Sequence, residues 1–513
     1  MSEGSLLIQN LVLIDIDGLR PDVFESALHS GRLPNFARLL GGQALERGVL
    51  WPVAAPAPSI TFTSQACLFT GAHPAAHCIA GNQFFDRFGR NSGGTPRHYA
   101  FDVGDTISVD DAVRVFVEGL ASNSLQVPTL YERVAERNWR SVVAGHMYAR
   151  GAQTWLRPNL AYLARFTKGG NLFGLSAPKY DRHILKKALT HLEAEGLPNI
   201  LTVYFMGVDH ESHRHGPQAQ QAYLIEVVDP MIGELWEKVT GLLDESGDRR
   251  PVLWAVFSDH GQIGVPADDR HSLRLSFPFE REMGLLFDSL GLDVHDFPGE
   301  DPHSDAVVAS NGGLAQVYLC NRMNGERRWA EPPDFEQEVL PVARAFWEAH
   351  TSGSHAPELR GSLRAVLARD ASGGEWKAPY RALSPEGTLL PLHDWFDRQP
   401  EAHFIDPVHR LNNLVGPMSG DLILISDYSE GYYFAAPEAG VHGGLHPEDS
   451  YATLAIGLPQ AAEASWLELK QKMRQAVESR CAAEGGRLPG TVDLLTALYA
   501  AIGEEVMWAS HPE

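Results

Sequence analysis

Three times in this chain a short apolar, largely β-branched run ends on, or just ahead of, an acidic residue. LVLIDI (residues 11–16) runs into Asp17-Gly18, and NILTVYFM (199–206) into a stretch that begins at Asp209. VLWAVF (252–257) runs into Ser258-Asp259-His260-Gly261. Such runs read as strands buried on both faces, the kind found in parallel sheets. Helical patterns alternate with them. GRLPNFARLL places a helix start near Pro34, residues 181–195 have apolar positions at helical spacing, and 218–243 read as one long helix. The alternation predicts an α/β fold: a doubly wound, mostly parallel sheet flanked by helices, with functional residues at the carboxyl ends of its strands. A single acid at a strand end is a turn cap. Three of them make a constellation.

The alternation runs through residues 1–265 and resumes over 418–513, where DLILIS (421–426) and residues 451–458 are expected to return to the same sheet. Between them, residues 266–417 scatter proline, glycine and charge around short strands such as 314–319, and are expected to form an inserted cap subdomain. Residues 83–126 read as a smaller insertion over the site.

At 513 residues, with 44% of them apolar, the chain can bury a large core. Its 65 acidic and 42 basic residues leave a net charge of −23, spread along the sequence. That surface makes nucleic-acid duplexes and anionic membranes poor partners, and an anionic small-molecule substrate would need local positive charge from metal ions. Cys67, Cys78, Cys320 and Cys481 have no CxxC spacing, so neither a zinc ribbon nor a disulfide framework is indicated. MSEGSLLIQN carries no basic region or long apolar stretch, and the expectation is a cytoplasmic enzyme, with a homo-oligomer left open.

Candidate chemistry gathers at five places. The stretch PAPSITFTSQACLFTGAHPAAHCIAGN crowds Ser59, Thr61, Thr63 and Ser64 around the start of a helical run. Hydroxyls there cap helices, and one of them can also serve as a nucleophile whose alkoxide the positive helix end favours. Asp209 and His213, four apart in DHESHRHGP, share one helical face and suit zinc. Asp259 and His260 end the third run. His442 sits among glycines in GVHGGLHP, where an unhindered backbone can approach a metal, with His446 as its rival. Arg150, in MYARGAQTW, is placed to grip a substrate phosphate from a strand-end loop.

Together these motifs resemble the alkaline phosphatase superfamily and, within it, the nucleotide pyrophosphatase/phosphodiesterase family. The resemblance covers both ends of the chain and leaves the middle unmatched. It implies Thr61 as the nucleophile, counted back from Thr70-Gly71, and Asn82 with the Phe62 N–H as donors to a non-bridging phosphate oxygen. It also implies two zinc ions, with manganese or iron as alternatives. Asp209, His213 and His442 would hold one, and Asp17, Asp259, His260 and Thr61 the other, about 4 Å away. The activity implied is hydrolysis of a phosphodiester or phosphoanhydride bond through a covalent phospho-threonine. A phosphomonoesterase, a phosphonoacetate-type phosphonate hydrolase and a catalytically inactive ligand-binding relative are the alternatives. Two departures stand out: Cys78 replaces the family's glycine, and Tyr148 replaces a lysine of its phosphomonoesterases. Cys67 is followed by Leu-Phe-Thr, without the proline and arginine that sulfatases need for formylglycine.

Overall fold

The acid-tipped runs lie side by side. Asn10–Ile16 pairs in parallel with Ile200–Phe205 on one side and with Val252–Phe257 on the other. Asp17, Asp209 and Asp259 therefore follow the carboxyl ends of three neighbouring strands of one sheet. The computed structural model describes residues 8–102, 110–163, 176–274, 282–295, 298–300, 303–323, 325–374 and 376–503.

The sheet has seven strands, in the order Gly48–Ala54, Tyr451–Gly457, Val252–Phe257, Asn10–Ile16, Ile200–Phe205, Ser141–Ala144 and Thr154–Leu156. It is parallel from Val252–Phe257 to Thr154–Leu156, and Tyr451–Gly457 runs antiparallel to both its neighbours. Every residue of the three central strands is buried. Helices cover the faces, as the periodicity predicts. The helix Ala177–Glu195 turns Ile184, Leu185, Ala188 and Leu192 inward, and each large side chain so buried is worth roughly 2 kcal/mol.

The expected long helix over 218–243 is interrupted. It is made of Gln220–Tyr223, a wide turn at Leu224–Val228, and Asp229–Ser246. Pro230 has no N–H and its ring crowds the carbonyl four residues back, so the helix widens one turn before it.

A second seven-stranded sheet, almost wholly antiparallel, has its own apolar cluster. Its order is Val294–His295, Ala306–Asn311, Leu314–Leu319, Leu422–Ser426, Leu363–Arg369, Tyr380–Leu383 and Leu389–Pro391. Leu422–Ser426 thus departs from expectation: it pairs with Leu314–Leu319 and Leu363–Arg369 instead of returning to the central sheet. An apolar run states that a strand is buried but not which strands will flank it. Residues 83–102 form a hairpin of Gln83–Asp86 and Arg97–Ala100 beside the second sheet. Among the described residues no helix is long and apolar enough to cross a membrane.

Candidate active site

Local rules of the chain bring the candidate residues to one place. Gly18 follows Asp17 with φ of 69°, and a Cβ there would lie 2.9 Å from an Asp209 carboxylate oxygen. Glycine is what lets these two strand-end loops touch. Asp209 and His213 stand one turn apart on the helix Gly207–His215. His442 follows the two-residue strand Gly440–Val441, which pairs with Ile263–Gly264 just beyond Asp259 and His260. The Ser59 hydroxyl accepts from Gly443 N at 3.1 Å and donates to Gly444 O at 3.0 Å, tying the His442 loop to the segment that carries Thr61.

The result is two adjacent clusters. In the first, His213 Nε2 lies 3.3 Å from Asp209 Oδ2 and 3.1 Å from His442 Nε2. In the second, His260 Nε2 lies 3.4 Å from Asp17 Oδ1, 3.3 Å from Asp259 Oδ2 and 3.1 Å from Thr61 Oγ1. The His260 and His442 rings stack at 3.7 Å. Asp209 is near enough to complete a set of three with His213 and His442, or with Asp17 and His260.

Hydrogen bonding behind the histidines tests whether these groups suit a cation. His260 Nδ1 donates to Gly261 O at 2.9 Å and His442 Nδ1 to Ser59 O at 3.1 Å, so each Nε2 presents a lone pair to the carboxylates. His213 Nδ1 lies 2.6 Å from Glu438 Oε2, the carboxylate backing that orients metal-binding imidazoles. Asp17 Oδ1 and Asp259 Oδ2 are buried with no hydrogen-bond partner among the described residues. Lone pairs and negative charge thus converge, an arrangement that repels itself unless a proton or metal cation lies within it. The donor set fits divalent cations that take imidazole and carboxylate, zinc foremost and manganese or iron besides.

The ionisation of the groups follows. Burial pushes the Asp17 carboxyl well above its usual range, and Asp259 and Asp209 add repulsion. Burial raises Asp259 too, and burial with His260 nearby holds His442 well below the histidine range. His213 moves the other way. Burial opposes its charge, but Asp209 and Glu438 overcome that and hold its imidazolium well above the usual range.

Of the four crowded hydroxyls, Thr61 lines the cavity shared by both clusters, of about 330 Å³. Thr63 and Ser64 are fully buried, and Ser59 is committed to the glycine loop. Thr61 opens the helix Thr61–Thr70, at the positive end of its dipole. At the other end Arg480 Nη2 donates to Gly71 O at 2.8 Å. Asn82 Oδ1 accepts from Phe62 N at 2.9 Å, so this N–H is spent on orienting Asn82. The cavity is also lined by apolar side chains: Phe62, Phe101, Phe116, Met147 and Leu163.

The sequence model of the family described as type I phosphodiesterase/nucleotide pyrophosphatase matches residues 11–440. The chain belongs to this family. It is a family of hydrolases acting on phosphoric ester bonds, within the alkaline phosphatase superfamily. An uncharacterised pyrophosphatase/phosphodiesterase of Schizosaccharomyces pombe is 29% identical over 288 residues, which are 54% of this chain and 50% of that protein. The chain thus spans about half the length of the curated relative it matches. Among solved structures, murine ectonucleotide pyrophosphatase/phosphodiesterase 5 shares 13% identity at a TM-score of 0.54, over 97% of this chain and 96% of that one. Phosphonoacetate hydrolase from Sinorhizobium meliloti, in complex with phosphonoacetate, shares 15% identity at a TM-score of 0.51, over 96% of each chain. At these identities the likeness is one of fold.

Within this member of the family Arg150 does not do what its position suggests. Its guanidinium donates to Ser122 O at 2.8 Å, Leu125 O at 2.9 Å, Val127 O at 2.6 Å and Glu132 Oε1 at 3.0 Å. It braces the end of the first insertion, residues 122–127, and is not among the residues that line the cavity. Tyr148 is buried, and its hydroxyl donates to Phe62 O at 2.8 Å. Three contributors escaped sequence reading: Tyr204, whose hydroxyl donates to Asp17 Oδ2, Glu438 behind His213, and Asp102 beside Asn82. None of them stands in a motif.

Proposed function

We propose that the protein hydrolyses a phosphodiester or phosphoanhydride bond by attack of Thr61 Oγ1 on phosphorus, through a covalent phospho-threonine, at a site that binds two zinc ions. One observation carries this reading. Thr61 stands at a helix N-terminus, in a cavity wall, 3.1 Å from an imidazole that belongs to a converging set of carboxylates and histidines.

Asp209, His213 and His442 would hold one cation, and Asp17, Asp259, His260 and Thr61 the other. When bound, the pair supplies positive charge to the entering and leaving oxygens of an in-line displacement. Thr61 contributes the attacking oxygen, favoured as an anion by the helix dipole. Asn82 Nδ2 has a second hydrogen for a non-bridging phosphoryl oxygen, and the apolar side chains of the cavity can cover one ester arm. Murine ectonucleotide pyrophosphatase/phosphodiesterase 5 has been solved as an inactive threonine-to-alanine variant in complex with AMP, which supports a threonine nucleophile here.

The test is Thr61→Ala on bis(p-nitrophenyl) phosphate, with loss of at least about a thousandfold in turnover expected. Turnover at the wild-type rate would end the proposal. The fold shared with phosphonoacetate hydrolase keeps phosphonate hydrolysis as a second reading, which phosphonoacetate assayed on the same preparation would separate.

A further inference from the structure

We infer that Gln65 is a positioning residue for the nucleophile: pinned between Asp15 and His146, its side-chain amide sets the helix that carries Thr61 in register with the strand that leads to Asp17. The inference rests on Thr61 being the nucleophile.

The repeats of helix and strand make such a pin effective. Gln65 lies four residues after Thr61 on the helix Thr61–Thr70, so the two share a face about 6 Å apart along the axis. Asp15 lies two residues before Asp17 on the run that begins at Asn10, so those two share a face of the sheet about 6.6 Å apart. Gln65 Nε2 donates to Asp15 Oδ1 at 3.2 Å. The two spacings nearly match, and fastening Gln65 to Asp15 therefore brings Thr61 level with Asp17. There Thr61 Oγ1 is 3.1 Å from His260 Nε2, which is 3.4 Å from Asp17 Oδ1.

His146 closes the other side of the pin. Tyr148 N donates to His146 Nδ1 at 3.0 Å, and burial keeps the ring neutral, its pKa pushed down to about 3. Its one proton is then on Nε2, which donates to Gln65 Oε1 at 2.9 Å and lies 3.4 Å from Asp15 Oδ2. The oxygen and the nitrogen of the Gln65 amide are thus committed to different neighbours, which fixes its orientation. Asp15, Gln65 and His146 are all fully buried, as is the whole helix Thr61–Thr70. Apolar packing alone is non-directional and would let that helix slide along the sheet. Hydrogen bonds shielded from water are directional and hold it. The His146 loop grips the helix a second time, where Tyr148 Oη donates to Phe62 O at 2.8 Å. None of the three pinning residues is among the described residues that line the cavity, so they act on the chemistry through Thr61.

The test measures turnover of bis(p-nitrophenyl) phosphate per folded molecule at saturating zinc. Gln65→Met removes both hydrogen bonds at nearly unchanged volume. It should lower kcat about tenfold to a hundredfold, with KM unchanged. Gln65→Glu keeps the acceptor for His146 and sets a second carboxyl group against Asp15, so it should lose about as much. Adding Asp15→Asn exchanges donor and acceptor across the pair: the amide introduced at 15 donates to the carboxylate introduced at 65. This double variant should regain about tenfold over Gln65→Glu alone. A residue that merely stabilised the fold would move Tm and leave kcat per folded molecule at the wild-type level. That outcome in Gln65→Met, or a double variant no faster than Gln65→Glu, overturns the inference and leaves Thr61 standing as the nucleophile. Should Gln65→Met not fold, the comparison of the other two variants decides. Wild-type turnover by Thr61→Ala removes the nucleophile and the inference with it.

Discussion

His213 and His442, 229 residues apart in the chain, bring their Nε2 atoms within 3.1 Å of each other. Asp209 lies 3.3 Å from the first and 3.7 Å from the second. With His213 Nε2 as the metal ligand proposed, the Glu438 carboxylate behind it would keep that ring's proton on Nδ1. Glu438→Gln should therefore weaken metal binding by about tenfold to a hundredfold, read by competition with a chelator. Saturating zinc should restore most of the activity. Unchanged affinity would mean that Glu438 plays no part in holding the ligand.

Chelation should cost stability as well as activity. Asp17, Asp209 and Asp259 converge, and two of them have buried oxygens with no partner among the described residues. A cation that binds only the folded chain adds about 2.7 kcal/mol per site at a hundred times its Kd. Stripping the metal should lower Tm, and adding zinc back should restore it. A Tm and an activity both indifferent to chelation would contradict the two-cation site.

Much of this site could be read from the sequence because its signals are local. An acid at the carboxyl end of a buried parallel strand has one geometric destination, and Asp17, Asp209 and Asp259 all reach it. The residues that were missed act across the fold: Tyr204 meets Asp17 across 187 positions and Glu438 meets His213 across 225. Neither has a neighbour in sequence that announces the pairing. Arg150 shows the converse. Its loop lies where expected, but the carbonyls of residues 122, 125 and 127 claim its donors. Leu422–Ser426 has the composition of a central-sheet strand, and its place is set by pairing partners that no local pattern encodes.

The second sheet is joined to the first insertion by a buried charge cluster, which gives a stability prediction remote from the chemistry. Arg87 Nη2 lies 3.2 Å and Arg369 Nη2 3.9 Å from the Asp421 carboxylate, and all three side chains are almost fully buried. Trp376 covers the Arg87 guanidinium at 4.1 Å. Asp421→Asn would leave two buried cations without their shared counter-ion, a loss of about 3–5 kcal/mol. Urea unfolding checks this, and metal content per folded molecule should not change. A loss below about 1 kcal/mol would mean that water reaches the cluster.

Acid sensitivity should come in part from a histidine that takes no part in the chemistry. His77 is fully buried, accepts from Ile79 N at 3.1 Å and lies 3.4 Å from Cys67 Sγ. Burial, with His73 adding to it, pushes its pKa down to about 3, against 6.5 in an unfolded chain. The folded protein thus binds fewer protons than the unfolded one between those values. The contribution of His77 is fully present above pH 6.5 and is lost as the pH falls toward 3, at up to about 1.4 kcal/mol per pH unit. His77→Asn keeps an acceptor for Ile79 N and removes the titration. Wild type and variant should therefore converge in stability by about 2 kcal/mol between pH 7 and pH 5, measured by urea midpoints at each pH. His146, likewise buried and lowered to about 3, remains in both proteins and cancels in the difference. Parallel stability curves across that range would show that His77 is protonated or exposed in the folded chain.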